Sequence, residues 1–500
     1  MSADAARQAD LAARSTWADV EGLSVTVVGL GKSGVSAANA LARRGAHVQV
    51  VDDKPEAELQ ASLNALDVRV SARCGSVMGG GAAGGPIGRR GDVFVLSPGV
   101  APHTRLFRDV QGLASAIISE IELFYRMDRA DCGGLGHPIA AISGTDGKTT
   151  TTLLAAHLLR TGGHGVAVGG NIGDPLCDLL GTLKPDDIVV AEVSAFQLHT
   201  CSAFRPRVAV VTNVAADHLD WFSGDMDAYV RTKVKVAAAM GIGDTLLING
   251  DDLELGEHRA RLVTEARHAT WMFSTQGVPA RGFGFDGGVL QWSQAPDAVV
   301  PILAMEELGC EGAHPITGLH NVENALGACG MVLALGVDLG AVRRGLRSFE
   351  LPAHRLQPVG AIGGVRFVDD SKATNPHAAI AGLQAMALAP GERLIWIGGG
   401  SEKDADFGEL GHVVGQRAAA AILLGQTAER IAGALPPELA THRVGRLEDA
   451  VPLGLQLAGD AGVVLLSPAC ASFDMFRSYA HRGDVFATAV QRLAQAVARR

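Results

Sequence analysis

The sequence predicts an α/β protein of three domains, each built on a mainly parallel sheet. The chain has 500 residues, and domains of roughly 150 residues would make about three of them. Apolar runs that lead into glycine-rich turns and then helical patterns recur along it, as in LSVTVVGLGKSG and PIAAISGTDGKTT. Hydrophobic residues make up 47% and aromatic residues 5% of the chain, which favours close-packed helices over a β-sandwich.

Composition and charge exclude several classes of function. The net charge is −10 and the positive charges are scattered, so no nucleic-acid partner is expected. The N-terminus lacks the apolar core of a signal peptide, and no apolar run reaches the roughly 18 residues of a membrane span. The seven cysteines show no Cys-x-x-Cys pair and no metal-ligand spacing, which favours reduced thiols in a cytoplasmic protein.

The first glycine-rich turn carries the pattern Gly29-x-Gly31-x-x-Gly34 between a strand and a helix. Such glycines let the backbone approach a diphosphate at the helix N-terminus. Asp52 ends the next strand, eighteen residues after Gly34, where an acid can hold a ribose diol. Considered alone, the pattern favours a dinucleotide, and the alternative is a Rossmann-like turn without a ligand. A later strand ends at Gly99, on the edge of the sheet where ligands bind.

A second glycine turn, GTDGKTT, follows the strand PIAAIS and begins a helix. Strand, glycine loop, Lys-Thr and helix is the setting of a phosphate-binding loop, although this loop is shorter than the common G-x-x-x-x-G-K-[ST] pattern. Backbone amides would cradle the phosphates, the lysine would reach the β and γ oxygens, and the threonine hydroxyl would bind Mg²⁺. The residues predicted to bind a nucleoside triphosphate are Gly144, Thr145, Asp146, Gly147, Lys148, Thr149 and Thr150, and the resemblance described below implies that this nucleotide is ATP.

Two downstream strands end in polar residues on the same predicted edge. Glu192 ends an apolar strand, and Asp217 and His218 follow the next one. A carboxylate near a phosphate loop can organise Mg²⁺. Each residue alone could be an ordinary polar strand end, but together with the loop they favour a metal site.

The last part of the chain repeats the pattern of strands followed by glycine, serine and lysine clusters. Lys372 and Lys403 lie in two such clusters, where they are expected to hold an anion. The predicted domains are 1–134, 135–350 and 351–500, with CGGLGHP near residue 134 as a linker. The glycine-rich segment 75–91 is expected to be a surface insertion and is assigned no function.

These motifs together resemble the Mur ligase family, and within it the D-glutamate-adding ligases. The resemblance spans residues 25 to about 490. It rests on GTDGKTT, GGNIG (169–173), EVSAFQLH (192–199), NVAADHLD (213–220), GLHNVENAL (318–326), LPAHR (351–355), DDSKATN (369–375) and SPACASFDMFRSYAHRGDVF (467–486). It implies a Rossmann-like N-terminal domain, a central ATPase-type domain with a phosphate loop, and a Rossmann-like C-terminal domain.

The resemblance also implies the reaction and its ligands. A carboxylate of UDP-N-acetylmuramoyl-L-alanine would be activated by ATP as an acyl phosphate and joined to D-glutamate, a cytoplasmic step in peptidoglycan precursor synthesis. The uridine nucleotide, not NAD, would then occupy the first domain. Mg²⁺, as two ions, would be bound near the phosphate loop. The enzyme is expected to act as a monomer.

Site residues follow from the same resemblance. The uridine-nucleotide site would include Gly31, Ser33, Asp52, Lys54, Gly99 and Asn171. Further ATP contacts would come from Asn324, Arg355 and Asp370. D-Glutamate would be held by Lys372, Thr374, Lys403, Ser472 and Tyr479. Thr149, Glu192, His218 and Lys233 would bind the metal, and Lys148, His218 and Lys233 would be catalytic.

Lys233 shows how the residue pattern and the resemblance can differ. Its helical setting, with Lys235 two positions on, is typical of a solvated charged face. The resemblance instead implies that Lys233 is carbamoylated, because it aligns with a lysine that carries this modification in the family. A carbamate would supply hard oxygen ligands for Mg²⁺.

Two other functions are compatible with parts of the sequence. A folylpolyglutamate-synthase-like ligase would share the phosphate loop, but it would lack the first glycine-rich domain. An NAD-dependent oxidoreductase or a nucleotide-sensing protein would use the first domain, but it would leave the GTDGKTT loop unexplained.

Overall fold

The computed structural model confirms the α/β class. It describes residues 17, 20–75, 93–264, 266–295, 297–312, 316–401 and 405–499. These residues form three sheets in two compact units. The first unit contains the described residues up to Ala304 together with Glu323–Leu346, and the second contains Met305–Val322 and the described residues from Arg347 onward. The segment 76–91 of the predicted insertion lies outside the described residues.

The first sheet is a five-stranded parallel sheet of order β3-β2-β1-β4-β5. Its elements and the helix that follows are β1 (Ser24–Val28), α1 (Lys32–Arg43), β2 (His47–Asp52), α2 (Glu56–Asn64), β3 (Ser71–Cys74), β4 (Val93–Leu96), α3 (Arg105–Leu113), β5 (Ala116–Ser119) and α4 (Glu120–Asp131). Strand order reverses between β1 and β4, so a crevice opens there at the carboxyl ends of the strands.

The second sheet has nine strands in the order β14-β13-β12-β11-β10-β9-β6-β8-β7. Its elements are β6 (Ile139–Ser143), α5 (Lys148–Thr161), β7 (Val166–Gly170), β8 (Ile188–Glu192), α6 (Ala195–His199), β9 (Val208–Val211), α7 (Met226–Val234), β10 (Thr245–Asn249), α8 (Gly256–Thr264), β11 (Ala269–Ser274), β12 (Gly282–Asp286), β13 (Val289–Ala295) and β14 (Ala298–Ala304). Every residue of β6, β8 and β9 is buried, as expected for central parallel strands. Only the β12–β13–β14 edge is antiparallel.

The third sheet has the order β15-β16-β20-β17-β18-β19, with β15 antiparallel to the rest. Two helices, α9 (Leu319–Ala334) and α10 (Leu339–Ser348), precede it. Its elements are β15 (Gln357–Ile362), β16 (Gly364–Asp369), α11 (Pro376–Ala385), β17 (Arg393–Gly398), α12 (Gly408–Arg417), β18 (Ala420–Leu423), α13 (Ala428–Ala434), β19 (Ala440–Arg443), α14 (Leu447–Ala458), β20 (Ala461–Leu466) and α15 (Tyr479–Ala498).

Each sheet lies within one of the three predicted domain ranges, whose exact boundaries stay a prediction. Polar caps start two helices that pack with the third sheet. Asn375 caps α11 by accepting from the Ala378 amide, and Ser478 caps α15 by accepting from the His481 amide. Across the part of the chain that the structure describes, we find no helix with the length and apolar character to span a bilayer.

Candidate functional site

A cavity of about 560 Å³ opens at the carboxyl ends of β1, β2 and β4. Five of the predicted uridine-nucleotide residues line this first-sheet pocket: Gly31, Ser33, Asp52, Lys54 and Gly99. The lining also includes Lys32, Thr104 and several apolar residues. Its size and its mixed lining suit a small ligand with a charged group.

The glycine turn shapes this pocket because two of its three glycines, Gly29 and Gly34, have no room for a side chain. Gly29 has φ 96°, and a Cβ there would lie 2.7 Å from the Ser97 Cβ. A Cβ on Gly34 would lie 1.9 Å from the Gly29 carbonyl oxygen, so α1 can pack this closely only with glycine. A Cβ on Gly31 would have no atom within 4 Å, so the N-terminus of α1 is open to a ligand.

Asp52 holds the glycine turn in place. Its Oδ2 accepts from the Leu30 amide at 2.6 Å, and its Oδ1 accepts from the Lys54 amide at 2.9 Å. Both oxygens therefore bind the protein's own backbone. Asp52 thus orders the pocket, and because a carboxylate can accept further hydrogen bonds, its role in holding a ribose diol stays a prediction.

The phosphate loop (residues 144–150) connects β6 to α5. Gly144 and Gly147 have φ 142° and 78°, and Gly147 is the N-cap of α5. A Cβ on Gly144 would lie 1.9 Å from the Thr212 Oγ1, and one on Gly147 would lie 2.1 Å from the Asn324 Oδ1. Both glycines are required by conformation and by close neighbours.

Two residues directly after β9, Thr212 and Asn213, hold the loop, and sequence reasoning assigned them no role. The Thr212 hydroxyl donates to the Asp146 carbonyl at 2.6 Å. The Asn213 Oδ1 accepts from the Asp146 amide at 2.9 Å, and the Asn213 carbonyl accepts from the Thr145 amide at 2.9 Å. The sequence signal for them is the NVAADHLD motif, which Asn213 begins and Thr212 precedes. Their hydrogen bonds fix the shape of the loop.

Asn324 also contacts this loop. Its Oδ1 accepts from the Thr151 hydroxyl at 3.2 Å and lies close to Gly147. Thr149 and Thr150, in the first turn of α5, are buried. The structure thus brings together all of the predicted ATP-binding residues that belong to the first unit.

Two lysines meet at one backbone carbonyl of the loop. Lys148 Nζ donates to the Gly144 carbonyl at 2.9 Å and to the Thr145 carbonyl at 2.6 Å. Lys233 Nζ donates to the same Gly144 carbonyl at 2.6 Å and lies 4.2 Å from the centre of the Tyr229 ring. Lys233 is buried, contrary to the solvated face that its helical setting indicates. Burial, reinforced by the charge of Lys148, lowers the pKa of Lys233 well below its ordinary value.

Glu192 is a buried carboxylate, and one of its two oxygens accepts no hydrogen bond. Its Oε1 accepts from the Asn171 Nδ2 at 2.8 Å, and its Oε2 has no hydrogen-bond partner. Water cannot solvate this oxygen, so a cation is the natural partner for it. Asn171 pairs with Glu192 at the end of β8 and is not among the residues that line the first-sheet pocket.

His218 lies beyond β9 on the same edge of the sheet. It has φ 53°, its ring packs edge-on against Phe196 at 5.3 Å, and its side chain is 42% exposed. Nε2 lies 3.6 Å from the Asp217 Oδ2. A half-exposed imidazole with a neighbouring carboxylate is accessible to a metal or a substrate.

In the second unit, Asp370 follows β16 and is buried. Its Oδ2 accepts from the Ser467 hydroxyl at 2.7 Å, and its Oδ1 accepts from the Leu356 amide at 3.3 Å. Burial raises the pKa of Asp370 to about 7, although Ser467 and the charge of Arg355 oppose that shift. A carboxyl that titrates near neutrality at a strand end is a feature of functional sites.

Four of the five predicted D-glutamate residues lie in described segments of the second unit. Lys372 Nζ is 5.3 Å from the centre of the Tyr479 ring, an attractive cation–π contact. Ser472 is buried, and its carbonyl accepts from the Phe476 amide at 2.8 Å. Thr374 lies two residues after Lys372 and is partly buried. Lys403 lies outside the described residues.

Arg482, which sequence reasoning did not select, holds this edge together. It is fully buried, and its Nε and Nη2 donate to the Ser371 hydroxyl at 2.9 Å and to the Ser371 carbonyl at 2.8 Å. Its Nη1 donates to the Cys470 carbonyl at 3.0 Å. The guanidinium therefore joins the loop after β16 to the loop after β20. Burial lowers the pKa of Arg482 to about 10, so the group still carries its charge at neutral pH.

Comparison with known proteins covers the same three regions. Three family models match: the Mur ligase MurD-like N-terminal domain at residues 23–119, the Mur ligase middle domain at 142–332, and the Mur ligase glutamate ligase domain at 354–470. Among solved structures, the MurF ligase of Thermotoga maritima in complex with ADP aligns with a TM-score of 0.57 at 18% identity. It covers 82% of this chain and 96% of that one.

Curated relatives match over nearly the whole length. The UDP-N-acetylmuramoylalanine–D-glutamate ligase of Pelotomaculum thermopropionicum is 38% identical over 469 residues, which are 92% of this chain and 96% of the relative. The ligase of the same name from Trichlorobacter lovleyi is 36% identical, over 94% of this chain and 98% of the relative. These matches confirm the resemblance that the motifs indicated. The chain belongs to the Mur ligase family.

Proposed function

We propose that the protein is an ATP-dependent ligase that joins D-glutamate to UDP-N-acetylmuramoyl-L-alanine. The observation that carries the proposal is the 38% identity over 92% of the chain to a ligase named for this reaction. The phosphate loop and the first-sheet pocket supply sites for ATP and for a uridine nucleotide. The protein would act in the cytoplasm, as a monomer, in peptidoglycan precursor synthesis.

The reaction requires a leaving group on a carboxylate. A carboxylate oxygen of the alanyl residue attacks the γ-phosphorus of ATP, the bond to the β–γ bridging oxygen breaks, and ADP leaves. The amine of D-glutamate then attacks the acyl carbon, phosphate leaves with the bond electrons, and the nitrogen loses a proton. Both steps depend mainly on position and charge neutralisation, which a rigid loop can provide.

Residues 144–150 would hold the phosphates, with amides from the first turn of α5 because the Thr145 and Asp146 amides donate to Asn213, and Lys148 would neutralise the transferred group. Lys148 now donates to two carbonyls of its own loop, and both are contacts that a phosphate oxygen can replace. Asn324, in the same unit, would contact the adenine. Arg355 and Asp370, in the second unit, would contact the ribose and the phosphates.

The residues of the second-sheet edge fit Mg²⁺. Glu192 has a buried oxygen without a partner, and the Thr149 hydroxyl lies in the first turn after the loop. Glu192 and Thr149 would hold one ion, and His218 with Lys233 would hold a second. Bound Mg²⁺ would neutralise charge on the phosphates and on the carboxylate.

Lys233 would bind metal as a carbamate, formed when its neutral amine attacks CO₂ and releases a proton. Burial and the adjacent Lys148 favour the neutral amine that this reaction needs. The product is an anion with two hard oxygens, whereas an ammonium would repel the metal. The modification would therefore convert a buried cation beside the loop into a ligand.

D-Glutamate would be bound in the second unit. Lys372, Lys403 and Ser472 would hold its carboxylates together with Thr374, and Tyr479 would pack beside Lys372. The cation–π contact between Lys372 and Tyr479 supports this because it orients the ammonium. Uridine-nucleotide contacts would come from the residues that line the first-sheet pocket and from Asn171.

Phosphate release from ATP tests the proposal directly. UDP-N-acetylmuramic acid and its L-alanyl derivative are each combined with D-glutamate, L-alanine or diaminopimelate. Release is expected only for the L-alanyl nucleotide with D-glutamate. A different best pair would overturn the assignment. Quenching of NADH fluorescence on addition of the protein would support the oxidoreductase alternative, and we expect none.

A further inference from the structure

The segment CGGLGHP between α4 and β6 brings three potential metal ligands together, and the ligase reaction uses none of them. Asp128 lies in the last turn of α4, Cys132 is its C-cap, and His137 follows five residues later. Residues 133, 134 and 136 are glycines with φ of 63°, 97° and 72°. These left-handed positions turn the chain back over the helix end and place His137 against Asp128.

The ligand atoms lie close to the separations of a tetrahedral zinc site. Cys132 Sγ is 3.6 Å from His137 Nδ1 and 4.0 Å from Asp128 Oδ1. Zinc bonds of about 2.3 Å to sulfur and about 2.0 Å to nitrogen would separate these two atoms by about 3.6 Å. The remaining pair, Nδ1 and Oδ1, is 2.6 Å apart and would have to open by less than about 1 Å.

Hydrogen bonding orients His137 as a ligand. Its Nε2 lies 3.0 Å from the Lys184 carbonyl oxygen, which can only accept, so Nε2 carries a proton. The Nδ1 lone pair of a neutral ring would then face the Asp128 carboxylate at 2.6 Å. Two hydrogen-bond acceptors at this distance repel each other unless a cation lies between them. A proton or a metal ion can fill that role. The Cys132 thiol can donate to the Asp128 carboxylate, whereas a metal ion would bind the sulfur, the imidazole and the carboxylate at once.

We propose that Asp128, Cys132 and His137 form a Zn²⁺ site in the segment that joins the first sheet to the second. Thiolate, imidazole and carboxylate are ligands that zinc accepts, and three protein ligands leave a fourth position for water. The Lys184 carbonyl acts as the outer partner that fixes the imidazole. When the metal binds, the Cys132 thiol releases its proton to solvent. The site would brace the junction between the two sheets and would take no part in the ligase reaction.

Cobalt titration of the full-length protein tests this site. The protein is prepared without a histidine tag and stripped with a chelator, and Co²⁺ is added in the absence of nucleotide. We expect one equivalent of Co²⁺ to produce a thiolate-to-cobalt charge-transfer band and strong visible bands of a four-coordinate ion. One equivalent of Zn²⁺ should abolish both.

Matched variants identify the ligands. Cys132→Ser should lose the charge-transfer band. In His137→Gln the visible bands should no longer reach their maximum at one equivalent of Co²⁺. Cys310→Ser changes an exposed cysteine of the second unit and should behave like the wild type in both respects. Circular dichroism confirms that each variant is folded. A wild-type protein without the charge-transfer band, or a band that persists in Cys132→Ser, overturns the proposal. If the wild-type protein shows no charge-transfer band, the short contact between His137 and Asp128 is explained by a proton between them and not by a metal ion.

Discussion

The buried carboxyl group of Glu120 makes a quantitative prediction about stability. Glu120 is 1% exposed, where the first residue of α4 meets the short helix Leu176–Leu179 of the second domain. Its Oε1 accepts from the Cys177 amide at 2.6 Å, and its Oε2 has no partner. Burial raises the pKa of Glu120 to about 7, more than the hydrogen bonds from Cys177 lower it. We expect Glu120→Gln to remove a pH-dependent loss of stability.

The sign follows from the proton balance. In the unfolded chain the carboxyl has its ordinary pKa of 4.5, whereas in the folded chain the pKa is about 7. Between these values the folded chain keeps a proton that the unfolded chain has released, so the stability falls as the pH rises. The full difference corresponds to about 3 kcal/mol, and most of it should appear between about pH 5 and about pH 8.

Urea unfolding of the wild type and of Glu120→Gln, at about pH 5 and at about pH 8, measures this difference in the free energy of unfolding. The variant keeps an acceptor for the Cys177 amide and carries no charge, so it should unfold like the wild type near pH 5. Near pH 8 it should be more stable by about 2 to 3 kcal/mol. Glu58→Gln, a change at an exposed position of α2, is the control and should follow the wild type at both values. Equal pH dependence in the wild type and Glu120→Gln would refute the reasoning.

Three further substitutions test the site. Lys148→Ala should reduce phosphate release by a factor of about 100 to 1000, since one transition-state contact is worth roughly 3–4 kcal/mol; retention of a tenth of the rate would contradict that role. Gly34→Ala should lower the melting temperature and raise the KM for the uridine nucleotide, because its Cβ would lie 1.9 Å from the Gly29 carbonyl oxygen; normal values would show that α1 can shift. Lys233→Ala should be nearly inactive and partly rescued by acetate, whereas Lys235→Ala, the control, should show no acetate dependence.

The sequence is sufficient to predict the parts of the fold that depend on local order. The glycine turns at Gly29–Gly34 and 144–150 each lie between a strand and a helix, and both have that setting in the structure. Gly29, Gly144 and Gly147 have positive φ values, and a side chain on Gly34 would clash with the Gly29 carbonyl oxygen. Such constraints favour glycine at particular positions, and this preference can be seen in the sequence. For this reason the α/β class and the two loops were correctly predicted.

The contacts that complete the site depend on long-range packing, which the sequence pattern alone does not determine. Lys233 bonds to a carbonyl 89 residues away, and Thr212 bonds to Asp146, 66 residues away. The spacing around Lys233 is typical of an exposed helix face, and only α7 packing against the loop buries it. Arg482 is a similar case, because a charged residue in a helix gives no sign that two loops will enclose its guanidinium.

The meeting of Lys148 and Lys233 at the Gly144 carbonyl links the chemistry of the two lysines. Two ammonium groups at one acceptor repel each other, and burial together with the charge of Lys148 lowers the pKa of Lys233. Lys148 is thus both the predicted partner of the phosphates and a charge that favours the neutral form of Lys233. A neutral amine is the form that reacts with CO₂, so in the proposed function the phosphate loop would favour the formation of its own metal ligand. In this interpretation the unpaired oxygen of Glu192 and the carbamate of Lys233 would be anions that make a site for Mg²⁺ beside the phosphate loop.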